Sequence, residues 1–420
     1  MTVLAGCTNS SSGEEGQPAP PTTGPSAKAF DPPLTFGRDV ELEREEEEQT
    51  RDVGLRGRTA YVLEDTALDA YDTRTGRKLW SVSDPETFDT GATQRTADKE
   101  SAPLVFVEQG RHTVVLFAFQ NTTQGTGTGV SRTSVHLRAV DADTGKVSWT
   151  AELPVPAAKD VGISSQAVVG ADGETAVVAV RTTSSDPHDD TSTAITYGVD
   201  LNTHRVTWEQ KDFEAAAVDS GGVVGAQIPD TAEVDSEGWV ATDDAPIALV
   251  GRSVADGAVR WKDPRELFGL KVERVGGGLF RARVNVEFKE HPADYQLLDV
   301  STGRLPAGMT AGSLAALDGE CVHDQRSVVV CAGESVMNAW DTRRHKMLWT
   351  LSEDDASRNV PTLLTAWHGA VYAWNDDNAG YVVLDGTTGK DRGTFEGAHV
   401  YLVNEYGGLD VGLTAYPATG

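Results

Sequence analysis

The sequence lacks the features by which membrane-spanning proteins and many enzymes are recognised. No stretch approaches the ~18 consecutive apolar residues of a transmembrane helix. It contains no H-E-x-x-H, no G-x-S-x-G, no Walker phosphate loop and no G-x-G-x-x-G after a strand. Its nine histidines include no pair at i and i+4 that would suggest a metal site. We therefore predict a protein that is not an enzyme and has no catalytic residues, no metal and no cofactor.

Positive charge is also scarce. The 420 residues include 36 Lys and Arg against 64 Asp and Glu, for a formal net charge of −28. Such a surface repels phosphate backbones, so nucleic acid is excluded as a partner, and the net charge argues against simple adsorption on anionic lipid. Residues 41–48 read ELEREEEE, which indicates a solvated face or a short exposed helix.

There are only three cysteines. Cys321 and Cys331 are ten positions apart and would face each other across a hairpin, which allows a disulfide in an oxidising compartment. The alternative is a pair of buried free thiols. A metal site is disfavoured here because His323 is the only other ligand type close by.

The third cysteine, Cys7, follows Leu4-Ala5-Gly6 in a tetrapeptide that resembles a bacterial lipobox. In such signals the cysteine is acylated and becomes the first mature residue. Only six residues precede it, with no basic and apolar leader. Either the true start codon lies upstream, or the match is accidental. We predict lipidation at Cys7 and a place on the extracytoplasmic face of the bacterial cell membrane.

The segment after Cys7 is rich in Ser, Gly, Pro and Thr and has almost no large apolar residues. It cannot bury enough surface to fold and is predicted to be a flexible tether. The predicted organisation is therefore a truncated signal remnant (1–7), a disordered tether (8–33) and one folded domain (34–420).

The folded part contains a short pattern seven times, at intervals that average about 52 residues, which is the size of one propeller blade with its loops. The seven copies are AYDTRTGRKLW (70–80), AVDADTGKVSW (139–149), GVDLNTHRVTW (198–208), GRSVADGAVRW (251–261), LLDVSTGRLPA (297–307), AWDTRRHKMLW (339–349) and VLDGTTGKDRG (383–393). The repeat residues are Asp72, Asp141, Asp200, Asp299, Asp341 and Asp385; Gly76, Gly145, Gly303 and Gly389; and Trp80, Trp149, Trp208, Trp261 and Trp349.

The pattern predicts a β-hairpin. An alternating apolar strand leads in, the aspartate accepts hydrogen bonds from turn amides, and the glycine supplies a positive φ. His204 and His345 stand in the glycine position, where histidine tolerates the left-handed region better than β-branched residues do. We assign both histidines a structural role rather than a catalytic one.

The residue two before the aspartate position is Ala or Gly in the five copies that end in Trp. The two copies without Trp have Leu297 and Val383 there. A small residue leaves room for an indole, and a larger aliphatic residue fills the space where the indole is absent. The tryptophans are therefore predicted to pack between blades rather than to form a ligand box.

The motif A-x-D-x-x-T-G-K-x-x-W resembles the signature of the PQQ-like β-propeller repeat family, over residues 50–420. The resemblance implies an all-β fold of four-stranded antiparallel blades, with each Trp docking one blade on the next. Further residues of the folded domain lie before the first copy and after the last copy of the pattern. We favour eight blades, the last completed by a strand in 34–42, because a ring must pair its first and last strands. Seven blades are the alternative.

The lipobox, tether and propeller together resemble the BamB-like, non-enzymatic lipoproteins of this family. That resemblance implies a monomeric scaffold that binds an unidentified protein partner through its loops, without a cofactor. One alternative, a PQQ-dependent quinoprotein dehydrogenase, is disfavoured because such enzymes resemble this fold but add two adjacent cysteines, which are absent here. A ligand-sensing propeller of a signalling system is a further alternative. Asp376, Asp377 and Asn378 could hold calcium, although an ordinary loop tip explains them better.

Overall fold

The structure is a computed structural model. It describes residues 28–44, 50–64, 66–83, 104–123, 132–155, 161–184, 192–229, 232–235, 238–241, 245–286, 294–306, 309, 316–354, 358–375, 380–395, 397 and 399–420. These residues contain no α-helix, and accordingly none of them forms a helix with the length and hydrophobicity needed to cross a membrane.

The strands are numbered in chain order. The first, β1 (Val40–Glu41), belongs to the last blade. Blade 1 consists of β2 (Thr50–Arg56), β3 (Thr59–Glu64), β4 (Ala67–Asp72) and β5 (Lys78–Ser83). Blade 2 consists of β6 (Val105–Gln109), β7 (His112–Thr123), β8 (Arg132–Asp141) and β9 (Val147–Leu153). Blade 3 consists of β10 (Val161–Asp172), β11 (Thr175–Ser184), β12 (Ser192–Asp200) and β13 (Arg205–Lys211).

Blade 4 begins with β14 (Phe213–Asp219) and β15 (Gly222–Gln227), is interrupted by the hairpin of β16 (Glu233–Asp235) and β17 (Gly238–Val240), and ends with β18 (Ala248–Ser253) and β19 (Val259–Lys262). Blade 5 contains β20 (Gly269–Gly276), β21 (Leu279–Asn285) and β22 (Asp294–Asp299). Blade 6 consists of β23 (Glu320–His323), β24 (Val328–Ala332), β25 (Val336–Asp341) and β26 (Lys346–Ser352). Blade 7 consists of β27 (Thr362–Trp367), β28 (Ala370–Asn375), β29 (Gly380–Asp385) and β30 (Asp391–Phe395). Blade 8 contains β31 (Leu402–Asn404), β32 (Gly407–Leu409) and β33 (Thr414–Pro417) together with β1.

The eight antiparallel sheets form a β-propeller, so the predicted fold class and the favoured number of blades are confirmed. The first strand of each blade neighbours the first strand of the adjoining blade around most of the ring, and β31 of blade 8 neighbours β2 of blade 1. First strands therefore line the axis, and each blade extends outward from it. Middle strands such as β3 are buried on both sides, because a blade packs against two neighbours.

The ring is closed by the N-terminal strand. β1 pairs with β33 in the register Val40↔Ala415, and Phe36 forms a bridge with Ala418. The backbone N–H of Glu43 also donates to the carbonyl of Gly76 in blade 1, at 2.8 Å. This arrangement matches the prediction that the last blade is completed by the N-terminal strand. We call residues 28–43 the N-terminal strap.

Blade 5 departs from the uniform four-strand pattern. The inserted hairpin of β16 and β17 leaves blade 4 and joins the sheet of blade 5, where Trp239 pairs with Leu270 of β20. Because β20 is the innermost strand of its blade, the hairpin extends this sheet toward the axis. The motif of blade 5 is also one of the two copies that lack the repeat tryptophan.

The two ends of the ring differ in their connections. The repeat turns, such as Asp72–Gly76, and the turns between first and second strands, such as 57–58, lie at one end, which we call the turn face. Second strands connect to third strands, and fourth strands to the next blade, at the opposite end, which we call the loop face. The inserted hairpin connects a second strand to a third strand and so belongs to the loop face.

Candidate functional site

The repeat aspartate organises its turn. The N–H groups of Arg74 and Thr75 donate to Asp72 Oδ1 at 2.9 and 3.0 Å, and the Thr75 hydroxyl is 3.1 Å from the same oxygen. In the other five copies that have the aspartate, one Oδ1 likewise accepts backbone N–H groups of the turn: Asp141, Asp200, Asp299, Asp341 and Asp385. These carboxylates are thus engaged in holding their own turns.

The fourth residue after each aspartate has a positive φ. The angle is 72° at Gly76, 57° at His204 and 51° at His345. Both histidines occupy the left-handed region that the glycines occupy in the other copies. A structural role for the two histidines is consistent with this backbone geometry.

Each repeat tryptophan reaches the turn of the following blade. A Cβ added to Gly145 would lie 2.6 Å from the Trp80 indole, so the indole covers this glycine directly. At the next interface Trp149 stacks on His204, with ring centroids 4.6 Å apart and planes inclined by 14°. The remaining three pairs are Trp208 with Gly257, Trp261 with Gly303 and Trp349 with Gly389.

The small residue before the aspartate lies opposite the tryptophan of its own hairpin. Gly198 pairs directly with Trp208, and a Cβ on Gly198 would lie 2.1 Å from the indole. The same pairing occurs for Ala70, Ala139, Gly251 and Ala339 with their respective tryptophans. In the two copies without Trp, Leu297 and Val383 are fully buried. The indole therefore lies over its own hairpin and ends on the next blade.

The indole N–H groups add hydrogen bonds between blades. Trp208 donates to the carbonyl of Val254 at 2.9 Å, and Trp261 and Trp349 donate to carbonyls of the next blade at the same distance. Trp149 Nε1 donates to Gln109 Oε1 at 3.3 Å, within its own blade. Trp80 Nε1 has no partner among the described residues.

Of the two alternatives for the cysteine pair of blade 6, the structure contains the disulfide. Cys321 and Cys331 are bonded and face each other on β23 and β24, with their Cα atoms 4.0 Å apart. The same hairpin ends in the turn 324–327, whose Arg326 contacts the N-terminal strap. Cys7 lies outside the described residues, as do Asp376, Asp377, Asn378 and the end of the acidic run.

The strap is attached to the turn face close to the axis. Asp31 contacts both Arg326 of blade 6, at 2.6 Å, and His368 of blade 7. The backbone N–H of Phe30 donates to the carbonyl of Glu405 in blade 8 at 2.7 Å, and Tyr372 donates to the carbonyl of Pro33 at 2.7 Å. The boundary predicted at residue 34 therefore falls inside a segment that already contacts the propeller.

A charged cluster secures the inserted hairpin. Arg181 of blade 3 donates to both carboxylate oxygens of Glu214, at 2.7 and 3.0 Å, and Trp239 of the hairpin donates to the same carboxylate. The Arg181 guanidinium also lies over the Trp239 ring, 5.2 Å from its centroid. Charge-assisted bonds of this kind fix orientation well. Sequence reasoning missed this cluster, because its members come from three separate parts of the repeat array.

The other buried ionisable groups also contact structural partners. Glu64 pairs with Arg44 just beyond the strap, at 2.7 Å, and Tyr71 donates to Asp69 at 2.8 Å. Burial is the main cause that raises the pKa of Tyr71, and the hydrogen bond to Asp69 adds to it. Burial lowers the pKa of His323. Within the described ranges no group of three or more His, Cys, Asp or Glu is placed to hold a metal ion.

A pocket of about 370 Å³ lies on the loop-face side of blade 4, between 246–248 and 262–266. Its charged lining includes Asp263 and Arg265, which bond to each other at 2.5 Å. Burial is the largest single influence on the pKa of Asp263 and raises it, but the hydrogen bonds and the positive charge of Arg265 together lower the pKa on balance. The pair therefore remains ionised and satisfied, which suits a structural role rather than proton transfer.

The turn aspartates predict how stability depends on pH. The Thr144 hydroxyl, 2.6 Å from Asp141 Oδ1, is the main cause that lowers the pKa of Asp141. A lowered folded pKa means that this stabilisation is complete above the unfolded value of about 3.9 and is lost as pH falls through the folded value. Asn keeps an acceptor oxygen but removes the charge that strengthens these hydrogen bonds, so we expect Asp141→Asn to cost on the order of 0.5–1 kcal/mol at neutral pH. It should also flatten the acid limb of a plot of urea midpoint against pH.

Thr144→Val provides the matched variant for this prediction, because it keeps the carboxylate and removes the hydroxyl. Its acid limb should be smaller than that of the unmodified protein and should end at a higher pH, because the folded pKa of Asp141 moves back toward the unfolded value. An acid limb of unchanged steepness in Asp141→Asn would show that this carboxylate does not contribute.

Comparisons with known proteins identify no family for this chain. No family model and no curated protein matches the chain. Among solved structures it is similar to BamB from Moraxella catarrhalis, with 12% identity over 91% of this chain and 96% of that chain and a TM-score of 0.42. It is also similar to the computationally designed Ika8 protein, with 13% identity, coverage of 92% and 100%, and a TM-score of 0.42. It is similar to the Dos1 propeller with 10% identity over 90% of this chain and 82% of that chain, and the TM-score is 0.33.

Proposed function

We propose that this protein is a membrane-tethered, extracytoplasmic propeller of the PQQ-like repeat family that acts as a protein-binding scaffold and not as an enzyme. The observation that carries the proposal is the inserted hairpin on the loop face. It adds backbone beyond the uniform blades, and the Arg181–Glu214–Trp239 cluster holds it in a fixed position. A fixed element that extends a blade toward the axis at the loop face is a favourable surface for binding another protein, because little flexibility is lost on association.

The edge of the hairpin also suits protein recognition. β16 pairs with β17 on one side, and no second described strand pairs with its other side. Glu233 on this strand is exposed. An open strand edge can accept an extended segment of a partner through backbone hydrogen bonds. The partner we propose is thus a protein that presents such a segment at the loop face.

The location in the cell is supported by two features. The disulfide between Cys321 and Cys331 is of the kind that persists in oxidising compartments. Cys7 is the last residue of the lipobox-like tetrapeptide Leu4-Ala5-Gly6-Cys7. Acylation of Cys7 would tether the propeller to the outer side of the cell membrane.

The test is site-specific photocrosslinking in intact cells that produce the full chain. A crosslinking residue in place of Glu233 should give one discrete adduct with another protein. The same residue in place of Arg205, on the turn face, should not give that adduct. Cys7→Ser should make the protein extractable from the membrane fraction by a high-salt wash, which removes any electrostatic contact with lipid. A tightly bound quinone with dye-linked alcohol oxidation by the purified protein would instead establish the dehydrogenase alternative.

A further inference from the structure

Basic side chains recur at one position of the repeat turns. In six of the seven copies the residue after the glycine or histidine is Lys or Arg, and all six side chains are exposed. None of them forms an ion pair with another residue that the structure describes. The six are Arg77, Lys146, Arg205, Arg304, Lys346 and Lys390. Because the copies are distributed around the ring, these charges form a ring on the turn face.

Acidic groups on the same face are less available. In the six copies that have it, the repeat aspartate is directed at the turn amides, as Asp72 is toward Arg74 and Thr75. Asp143, which is exposed, lies 3.6 Å from Arg56. The side chains that project freely from these turns are thus mainly basic. The repeat aspartates keep their charge, and Asp256 and Glu174 are exposed acidic residues at these turns. The turn face is therefore much less negative than the whole chain, with its basic side chains the more exposed.

Exposed aliphatic side chains accompany the basic ones. Leu79, Val147, Val259 and Leu305 are 53%, 41%, 56% and 45% exposed, and each lies within three residues after the turn glycine. Large aliphatic groups at such exposure favour removal from water. Basic residues beside exposed aliphatic residues are typical of surfaces that bind at a membrane interface, where cations meet lipid headgroups and aliphatic groups reach the acyl boundary.

The distance between the two faces limits the effect of the acidic residues. A six-residue strand such as β4 spans about 20 Å at ~3.3 Å per residue. The Debye length at physiological ionic strength is only about 8 Å. Charges on the loop face are consequently screened from anything that touches the turn face. This geometry removes the objection to lipid binding that follows from net charge alone.

The strap links the turn face to the N-terminal part of the chain. Asp31 contacts Arg326 and His368 on this face, so the strap begins, at Lys28, close to the turn face. We propose that the turn face binds the surface of an anionic lipid bilayer, through its ring of basic residues and the aliphatic side chains beside them. This contact goes beyond the proposed scaffold function and does not depend on acylation of Cys7. It would orient the loop face, with its hairpin, away from the membrane.

The experiment uses the full chain with Cys7→Ser, so that no acyl anchor contributes. We expect cosedimentation with phosphatidylglycerol vesicles, weaker binding as salt is raised, and little binding to phosphatidylcholine vesicles. Lys146→Gln/Lys390→Gln on the turn face should weaken binding about fivefold for each lysine removed. The control Lys211→Gln/Lys262→Gln removes the same charge from the loop face and should bind like the parent.

A third variant, Leu79→Ser/Leu305→Ser, tests the aliphatic part of the surface and should also weaken binding to the vesicles. The proposal is overturned if both vesicle types bind equally or if the two lysine variants lose the same affinity. It is also overturned if soluble polyphosphate binds as tightly as the vesicles and the leucine variant has no effect, which would indicate an acidic polymer as the ligand. None of these outcomes depends on the crosslinking that tests the scaffold.

Discussion

Removal of residues 1–43 is expected to open the ring and destabilise the whole propeller, whereas removal of residues 1–27 is expected to leave its stability unchanged. The longer deletion removes β1, the bridge from Phe36 to Ala418 and the contacts of Asp31 with blades 6 and 7. The partly buried Phe36, Val40 and Leu42 pack in the hydrophobic clusters of blade 8 and its neighbours. At ~1.5–3 kcal/mol for each such side chain, the loss is on the order of 5 kcal/mol.

The longer deletion also uncovers the outer edge of β33. An open edge of this kind can pair with the same edge of a second copy, so the shortened chain should form larger species as well as unfold earlier. Thermal unfolding and size-exclusion chromatography of both deletions would measure the two effects. A monomer with an unchanged unfolding midpoint after removal of residues 1–43 would show that the strap does not close the ring.

The repeat made the fold predictable because its signal is local. Asp72, Gly76 and Trp80 lie within nine residues of one another, and the turn that they form depends on neighbouring backbone groups alone. Seven such hairpins, with apolar strands before them, leave few architectures other than a propeller. The pairing of a small residue with each indole could also be predicted. The two residues lie directly opposite each other on adjacent strands, so a large side chain at one position requires a small one at the other.

The features that sequence reasoning missed join residues far apart in the chain. Asp31 and His368 are separated by 337 positions, and neither has a pattern around it that identifies the other. The inserted hairpin is short, and its pairing with β20 of the next blade depends on where the ring places that strand. The charge of the turn face could not be predicted from the net charge, because a single value for the whole chain does not say where the charged residues lie. In each case the sequence does not show which distant residues the closed ring brings together.

Trp208→Ala is expected to be among the most destabilising single substitutions in the chain. The Trp208 side chain is buried, lies between its own Gly198 and Gly257 of the next blade, and donates to the carbonyl of Val254 at 2.9 Å. Two glycines without side chains cannot collapse into the cavity that alanine would leave. Truncation of a buried tryptophan costs about 3–5 kcal/mol, and this rigid site should give a value in the upper part of that range.

A comparison of two phenylalanine variants separates the hydrogen bond from the packing. Trp208→Phe keeps most of the apolar contact but leaves the Val254 carbonyl without its donor, whereas the Trp80 indole N–H has no partner among the described residues to lose. Trp208→Phe should therefore cost about 1 kcal/mol more than Trp80→Phe in the free energy of unfolding measured with urea. Equal losses in the two variants would mean that the indoles act by volume alone. A loss below about 1 kcal/mol for Trp208→Ala would show that the tryptophans do not hold neighbouring blades together.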